Sequence, residues 1–117
     1  MIQLELKNLF SIELEQPDLP ADPSCCAVLM HVDIGLANQS GANEFTFQVI
    51  TPAFLMKNPE VRWGRGYLLM STFSWDEVAR MLDRMIRRIS MACDSWEQAT
   101  MQLCQHMEWE FENYKEH

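Results

Sequence analysis

Basic residues are scarce in this chain: 9 Lys and Arg stand against 17 Asp and Glu in 117 residues, a formal net charge of −8. Binding to a phosphate backbone needs clustered cations that release counterions, so this balance argues against a nucleic-acid partner. It suits a basic protein partner instead. Long hydrophobic runs are also missing. Nothing approaches the ~20 apolar residues that span a bilayer, and the start MIQLELKNLF lacks the basic residues, long apolar stretch and small-residue cleavage site of a secretory signal. No membrane association is expected, and the expected compartment is the cytoplasm.

Catalytic motifs are absent as well. There is no G-x-S-x-G, no phosphate-binding glycine loop and no H-E-x-x-H, and His31, His106 and His117 have no motif around them. An enzyme is not expected, and neither is a cofactor. Cys104 and His106 could offer two metal ligands, but no C-x-x-C and no second ligand pair accompanies them, so no metal site is expected. Cys25, Cys26, Cys93 and Cys104 read as small hydrophobes in a reducing compartment, with the adjacent Cys25 and Cys26 pointing to opposite faces of a strand.

What is present is enough apolar material for one core: 48% of residues are hydrophobic. A chain of this length buries roughly two-thirds of its unfolded surface, and residues 1–117 are read as one domain. Strand signals fill the first two-thirds and helix signals the last third, with no repeat and no low-complexity linker. That order predicts an α+β fold of about four mainly antiparallel strands followed by two C-terminal helices packed on one face of the sheet.

IQLELKNLFSIELE alternates through Ile2, Leu4, Leu6, Ile12 and Leu14, which predicts a first strand broken by a bulge or bend near Asn8. Residues 17–23, PDLPADP, form a loop because three prolines remove donors and fix φ. CCAVLMHVDIGLAN predicts a second strand with Cys26, Val28, Met30, Val32 and Ile34 on one face. NQSGAN supplies the turn of a hairpin into EFTFQVITP, where Phe45, Phe47 and Val49 share a face and Pro52 ends the ladder. AFLMKNPEVRWGRG reads as an irregular excursion before a short fourth strand, YLLMSTF.

The helix signals are sharper. Ser74 and Glu77 form a capping box, followed by an apolar stripe of Trp75, Val78, Ala79, Leu82, Met85, Ile86 and Ile89. Asp76 with Arg80 and Asp83 with Arg87 stand at i, i+4, so the basic residues of this helix read as a solvated, self-paired face. A second helix begins at Asp94 or Ser95, and Trp96, Ala99, Thr100, Leu103 and Met107 make its buried stripe. Trp75, Leu82, Ile86, Trp96 and Leu103 are expected in the core.

The ending is harder to place. Trp109, Glu110, Phe111 and Glu112 alternate at the period of a strand, yet they continue a helical pattern. A continued helix puts Tyr114 on the buried stripe but aims Glu110 into it, with Trp109 opposite. An unpaired carboxylate there is costly, so either the helix frays near Met107 or it overruns the sheet edge with Glu110 paired. The second outcome is favoured, with Arg62 or Arg65 as partners and the Trp109 and Phe111 rings flanking the contact. The continued helix also aligns Glu97, Met101, Glu108 and Glu112 as an outward acidic strip. Glu13, Glu15 and Asp18, near the proline loop, form a second acidic candidate.

The succession of FTFQVITPAFL, WGRGYLLMSTFSWDEVARML, SWEQATMQL and WEFENY resembles the immunity protein 8 family, small antidotes of bacterial polymorphic-toxin and contact-dependent growth inhibition systems. Phe45, Val49, Thr51, Pro52 and Leu55 match an F-x-x-x-V-x-T-P-x-x-L segment. Trp109, Glu110, Phe111, Glu112 and Tyr114 match a W-E-F-E-x-Y-like end, with Asn113 where an acid is expected. The resemblance implies a non-enzymatic cytoplasmic protein, a monomer or weak dimer, that neutralises the C-terminal domain of a cognate toxin, such as a nuclease. Its candidate toxin-binding residues are Glu97, Glu108, Glu112, Glu13, Glu15 and Asp18, while Trp109, Glu110, Phe111 and Tyr114 form a structural lock. A small acidic secretion chaperone or effector-binding adaptor is the alternative.

Overall fold

A computed structural model describes residues 1–60 and 64–111. The apolar alternation of residues 26–34 builds its centre. Strand β1 (Leu4–Phe10) pairs antiparallel with β2 (Ala27–Leu36), and β2 pairs antiparallel with β3 (Asn43–Ile50). The predicted irregularity near Asn8 is a register shift between Leu6 and Asn8, which keeps Leu4, Leu6 and Leu9 on the inner face. β1 is shorter than expected. Ser11 turns the chain away, and Ile12 lies exposed outside the sheet.

The hairpin between β2 and β3 forms as predicted. At its base Gly35 is required by space, because an added Cβ would sit 2.2 Å from the Gly41 carbonyl oxygen. Cys26, Val28, Met30, Val32 and Ile34 are buried on one face beside Phe45, Phe47 and Val49. Burial pushes the Cys26 thiol pKa up, helped by Cys25 and Asp22.

Beyond β3 the sequence reading needs correction. The excursion contains a helix, α1 (Pro52–Lys57), with none of its own residues buried. The fully buried Thr51 caps it: its hydroxyl oxygen accepts from the Phe54 amide at 3.3 Å and the Cys26 amide at 3.0 Å. Pro52 therefore both ends the strand and starts a helix, where its missing N–H costs nothing. Strand β4 (Tyr67–Leu69) then runs parallel to β3, reached through Gly66 at φ +85°.

Helix α2 (Trp75–Ala92) is capped by Ser74, whose side chain accepts from the Glu77 amide, and helix α3 (Trp96–Leu103) is capped by Ser95. Trp75, Val78, Leu82, Ile86 and Ile89 join Ala99, Leu103 and the inner faces of β2 and β3 in one apolar cluster. Both helices thus cover the same side of the sheet. Trp96 packs half-buried on this cluster, whereas Ala79 is exposed. Arg87 pairs with Asp83 at 3.1 Å as expected, but Arg80 pairs with Glu77 instead of Asp76.

The ending follows neither predicted outcome. α3 stops at Leu103, residues 104–107 turn, and Glu108–Trp109 form β5, antiparallel to β3. β3 thus has β2 on one edge, while its other edge is divided between parallel β4 at residues 48–50 and antiparallel β5 at residues 45 and 46. Of the alternating aromatics and acids, only Trp109 lies in the strand; residues 110 and 111 turn, and Glu112 lies outside the described residues.

Candidate functional site

Among the acidic candidates, Glu13, Glu15 and Asp18 share a loop, residues 11–26, that the fold holds tightly. Ser11 Oγ donates to the Leu29 carbonyl at 2.8 Å, and a Glu13 carboxylate oxygen accepts from the Leu29 amide at 3.2 Å. These two side chains satisfy the β2 backbone just past the end of β1, where a longer first strand would have paired. Further along, the Asp18 amide donates to the Glu15 carbonyl at 2.7 Å, and the Trp75 indole N–H donates to the Asp18 carbonyl at 2.8 Å. The loop closes with the Phe73 amide donating to the Pro23 carbonyl at 2.8 Å.

Trp75 opens α2 and is itself core, packed edge-on against Phe73 with ring centroids 5.5 Å apart. Its ring thus belongs to the hydrophobic interior while its N–H fixes the loop. The carboxylates of Glu13, Glu15 and Asp18 all lie at the surface. Two large apolar side chains accompany them, Ile12 at 78% exposure and Leu19 at 54%. Beside them is a cleft of 300 Å³, walled by Leu9, Phe10, Leu14 and Trp75 with Glu15 on its lining. Charge, exposed apolar groups and a concavity therefore occur together on a braced backbone.

The second acidic candidate does not hold together as a strip. Glu97 lies in α3, but Glu108 lies in β5, on the opposite face of a strand from the inward Trp109, so the helical arc that aligned them does not exist. Glu112 lies outside the described residues, as do Arg62, Trp63, Asn113 and Tyr114. Met101, the exposed methionine of that arc, remains exposed on α3.

The lock formed by the ending is visible up to Phe111. Trp109 stacks on the buried Phe45 at 6.4 Å and donates its indole N–H to the Asn43 side-chain oxygen at 3.1 Å. Phe111 meets Trp109 edge-on at 5.5 Å. Glu110 is not buried. Its amide donates to the Glu44 carbonyl at 3.1 Å while its carboxylate accepts from the Glu44 amide at 2.9 Å, extending β5 by one side-chain rung. The donor to the Glu110 carboxylate is thus a backbone amide; of the arginines expected there, Arg62 lies outside the described residues.

The residues of the threonine-proline segment likewise prove architectural. Phe45 and Val49 are core, Thr51 and Pro52 start α1, and Leu55 is half-buried behind them. His31 stacks on Phe10 at 5.0 Å and meets Glu44 at 3.2 Å on the outer side of the sheet. Among the described residues, no group of three or more His, Cys, Asp or Glu could hold a metal ion, and no helix is long and apolar enough to cross a membrane.

Fold and surface together describe a small α+β protein whose distinctive chemistry lies in groups displayed on the outside of a braced scaffold. The chain belongs to the immunity protein 8 family, whose family model matches residues 4–114. Membership indicates an immunity protein directed against a toxin and implies a non-enzymatic role. No curated protein and no solved structure matches the chain.

Proposed function

We propose that this protein acts in the cytoplasm, where it binds the C-terminal domain of one cognate polymorphic toxin, of the nuclease type, and occludes it through the acidic loop 11–26. The observation that carries the choice of surface is the conjunction at that loop. Glu13, Glu15 and Asp18 stand exposed beside Ile12, Leu19 and the 300 Å³ cleft, on a backbone tied to Leu29 and Trp75. Nuclease clefts are cationic because they bind phosphate, so displayed carboxylates raise the encounter rate and mimic substrate charge. Affinity needs apolar anchors as well, which Ile12 and Leu19 supply. Because the loop is already braced, less ordering entropy is lost on binding.

The test is co-expression with the toxin domain encoded by the adjacent gene, as contact-dependent inhibition systems are arranged. Protected cells and a one-to-one complex on size exclusion are expected. A toxin that binds no better than an unrelated domain, together with a homodimer carrying a long apolar groove, would replace this reading with the secretion chaperone.

A further inference from the structure

A second concavity, of 480 Å³, lies at the other end of the sheet between α2 and β4, closed at one end by the turn 104–107. Its floor is apolar, formed by Leu68, Met81 and Met85, with Met107 buried behind. Among the described residues its ionisable lining carries no acid: Arg84 and Arg88 stand on α2, with His106 from the turn. Arg88 Nη2 lies 3.3 Å from His106 Nε2, and since a guanidinium can only donate, the imidazole accepts there and holds Arg88 beside the groove.

These cations differ from their helical neighbours. Arg80 and Arg87 are neutralised by Glu77 and Asp83. Among the described residues, no carboxylate lies within ion-pair distance of Arg84 or Arg88. The sequence explains why: the positions four residues before them are Arg80 and Arg84, and those three before are Met81 and Met85. In a chain of net charge −8, two adjacent arginines left without acids beside an apolar floor form a local field of opposite sign. β4 also contributes, because Tyr67 and Leu68 line the groove and among the described residues the strand pairs only with β3.

We propose that this groove binds an acidic segment of a partner polypeptide, one in which carboxylates stand next to leucine-like side chains. The carboxylates meet Arg84 and Arg88, and the apolar side chains settle on Met81, Met85 and Leu68, where unbranched thioethers adapt to different shapes. The site stands apart from the acidic loop, and its test requires no toxin, so either reading can fail alone.

The probe is a fluorescent peptide of repeating Glu-Glu-Leu-Leu, which puts a carboxylate and a leucine alternately on each face of an extended chain. Its counterpart replaces every Glu by Gln. By fluorescence anisotropy, the parent protein should bind the acidic peptide at least ~tenfold more tightly than the Gln peptide. R84E/R88E should lose that preference, while R80E/R87E, which alters the same number of charges on the same helix outside the groove, should retain it. Circular dichroism checks the fold, and R84Q/R88Q serves where the reversed pair does not fold. No peptide binding, equal binding of both peptides, or a preference that survives R84E/R88E overturns the proposal. Self-association of the parent that R84E/R88E abolishes also overturns it, by assigning the groove to a second copy of the chain.

Discussion

The acidic loop 11–26 and the basic groove at α2 are both charged surfaces, but they are held in place by different means. In the loop, backbone and side chain are tied down together: Glu13 serves Leu29, Asp18 lends its carbonyl to Trp75, and Pro23 receives Phe73. In the groove, the backbone is a regular helix and the arginine side chains are attached only at their stems, apart from the Arg88 contact with His106. The loop is pre-shaped, whereas the groove is pre-charged. Changes to the groups that brace the loop, Trp75 above all, should therefore register in stability as well as recognition, while changes to its unbonded carboxylates and to the groove arginines should register in recognition alone.

Trp75 gives the largest expected effect and breaks the comparison most directly, since it belongs to both core and loop. Trp75→Ala should cost about 3–5 kcal/mol by chemical denaturation. Trp75→Phe keeps most of the ring but leaves the Asp18 carbonyl without its donor, and should cost about 1–3 kcal/mol. If the phenylalanine variant also binds toxin normally, the bracing of the loop has no functional weight.

Recognition comes next. Glu15→Lys with Asp18→Lys should slow toxin association by about tenfold at low salt and flatten its salt dependence, with the melting temperature nearly unchanged because both side chains are exposed. Glu97→Lys with Glu108→Lys should change association by much less, since those carboxylates do not share one helical face. Stopped-flow measurements at two ionic strengths decide between the patches. If both pairs behave like the parent, acidic steering is wrong and the apolar surface near Trp109 becomes the better candidate.

Smaller effects sharpen the contrast. Glu110→Ala removes an exposed acceptor from the Glu44 amide, which water can replace, so a loss of about 0.5–1.5 kcal/mol is expected. Toxin binding lost without any change in melting temperature would move Glu110 from the lock to the interface.

Asp94 should give the smallest effect. The N-terminal ammonium of Met1 bonds it and holds its carboxyl below the usual value of 3.8. A lowered folded-state pKa means the contribution to stability is present above the unfolded value and is lost as pH falls through the folded one. Asp94→Asn should accordingly be slightly less stable than the parent at neutral pH, lose stability less steeply on acidification, and converge with the parent at low pH.

Local signals made much of this fold legible. The N-caps at Ser74 and Ser95, the alternation of residues 26–34 and the NQSGAN turn each carry their own geometry within a few residues. β5 and α1 were not legible in the same way. A two-residue strand exists only because β3 offers an edge to it, and α1 buries none of its residues, so neither leaves an amphipathic pattern. The expected acidic strip requires α3 to continue past Leu103, whereas Glu97 and Glu108 stand on two different elements. The alternation beginning at Glu108 points away from that continuation. The groove was missed for another reason: Arg84 and Arg88 were grouped with self-paired neighbours although each has a basic residue at the position where a helical partner would stand. The loop acids are candidates on sequence alone, but Trp75, fifty-seven residues from Asp18, meets their loop only in three dimensions.

The divided edge of β3 bears on how the chain reaches its folded state. Among the described residues, 45 and 46 gain their second neighbour from Glu108 and Trp109, more than sixty positions later. On the ribosome, β3 therefore emerges with that edge open and stays so until almost all of the described chain has been made. An open strand edge is a template for pairing with other chains, and during synthesis a chaperone or the helical half must shield it. The cover of this edge thus arrives late, on a two-residue strand, and chains that end before Trp109 should present it uncovered.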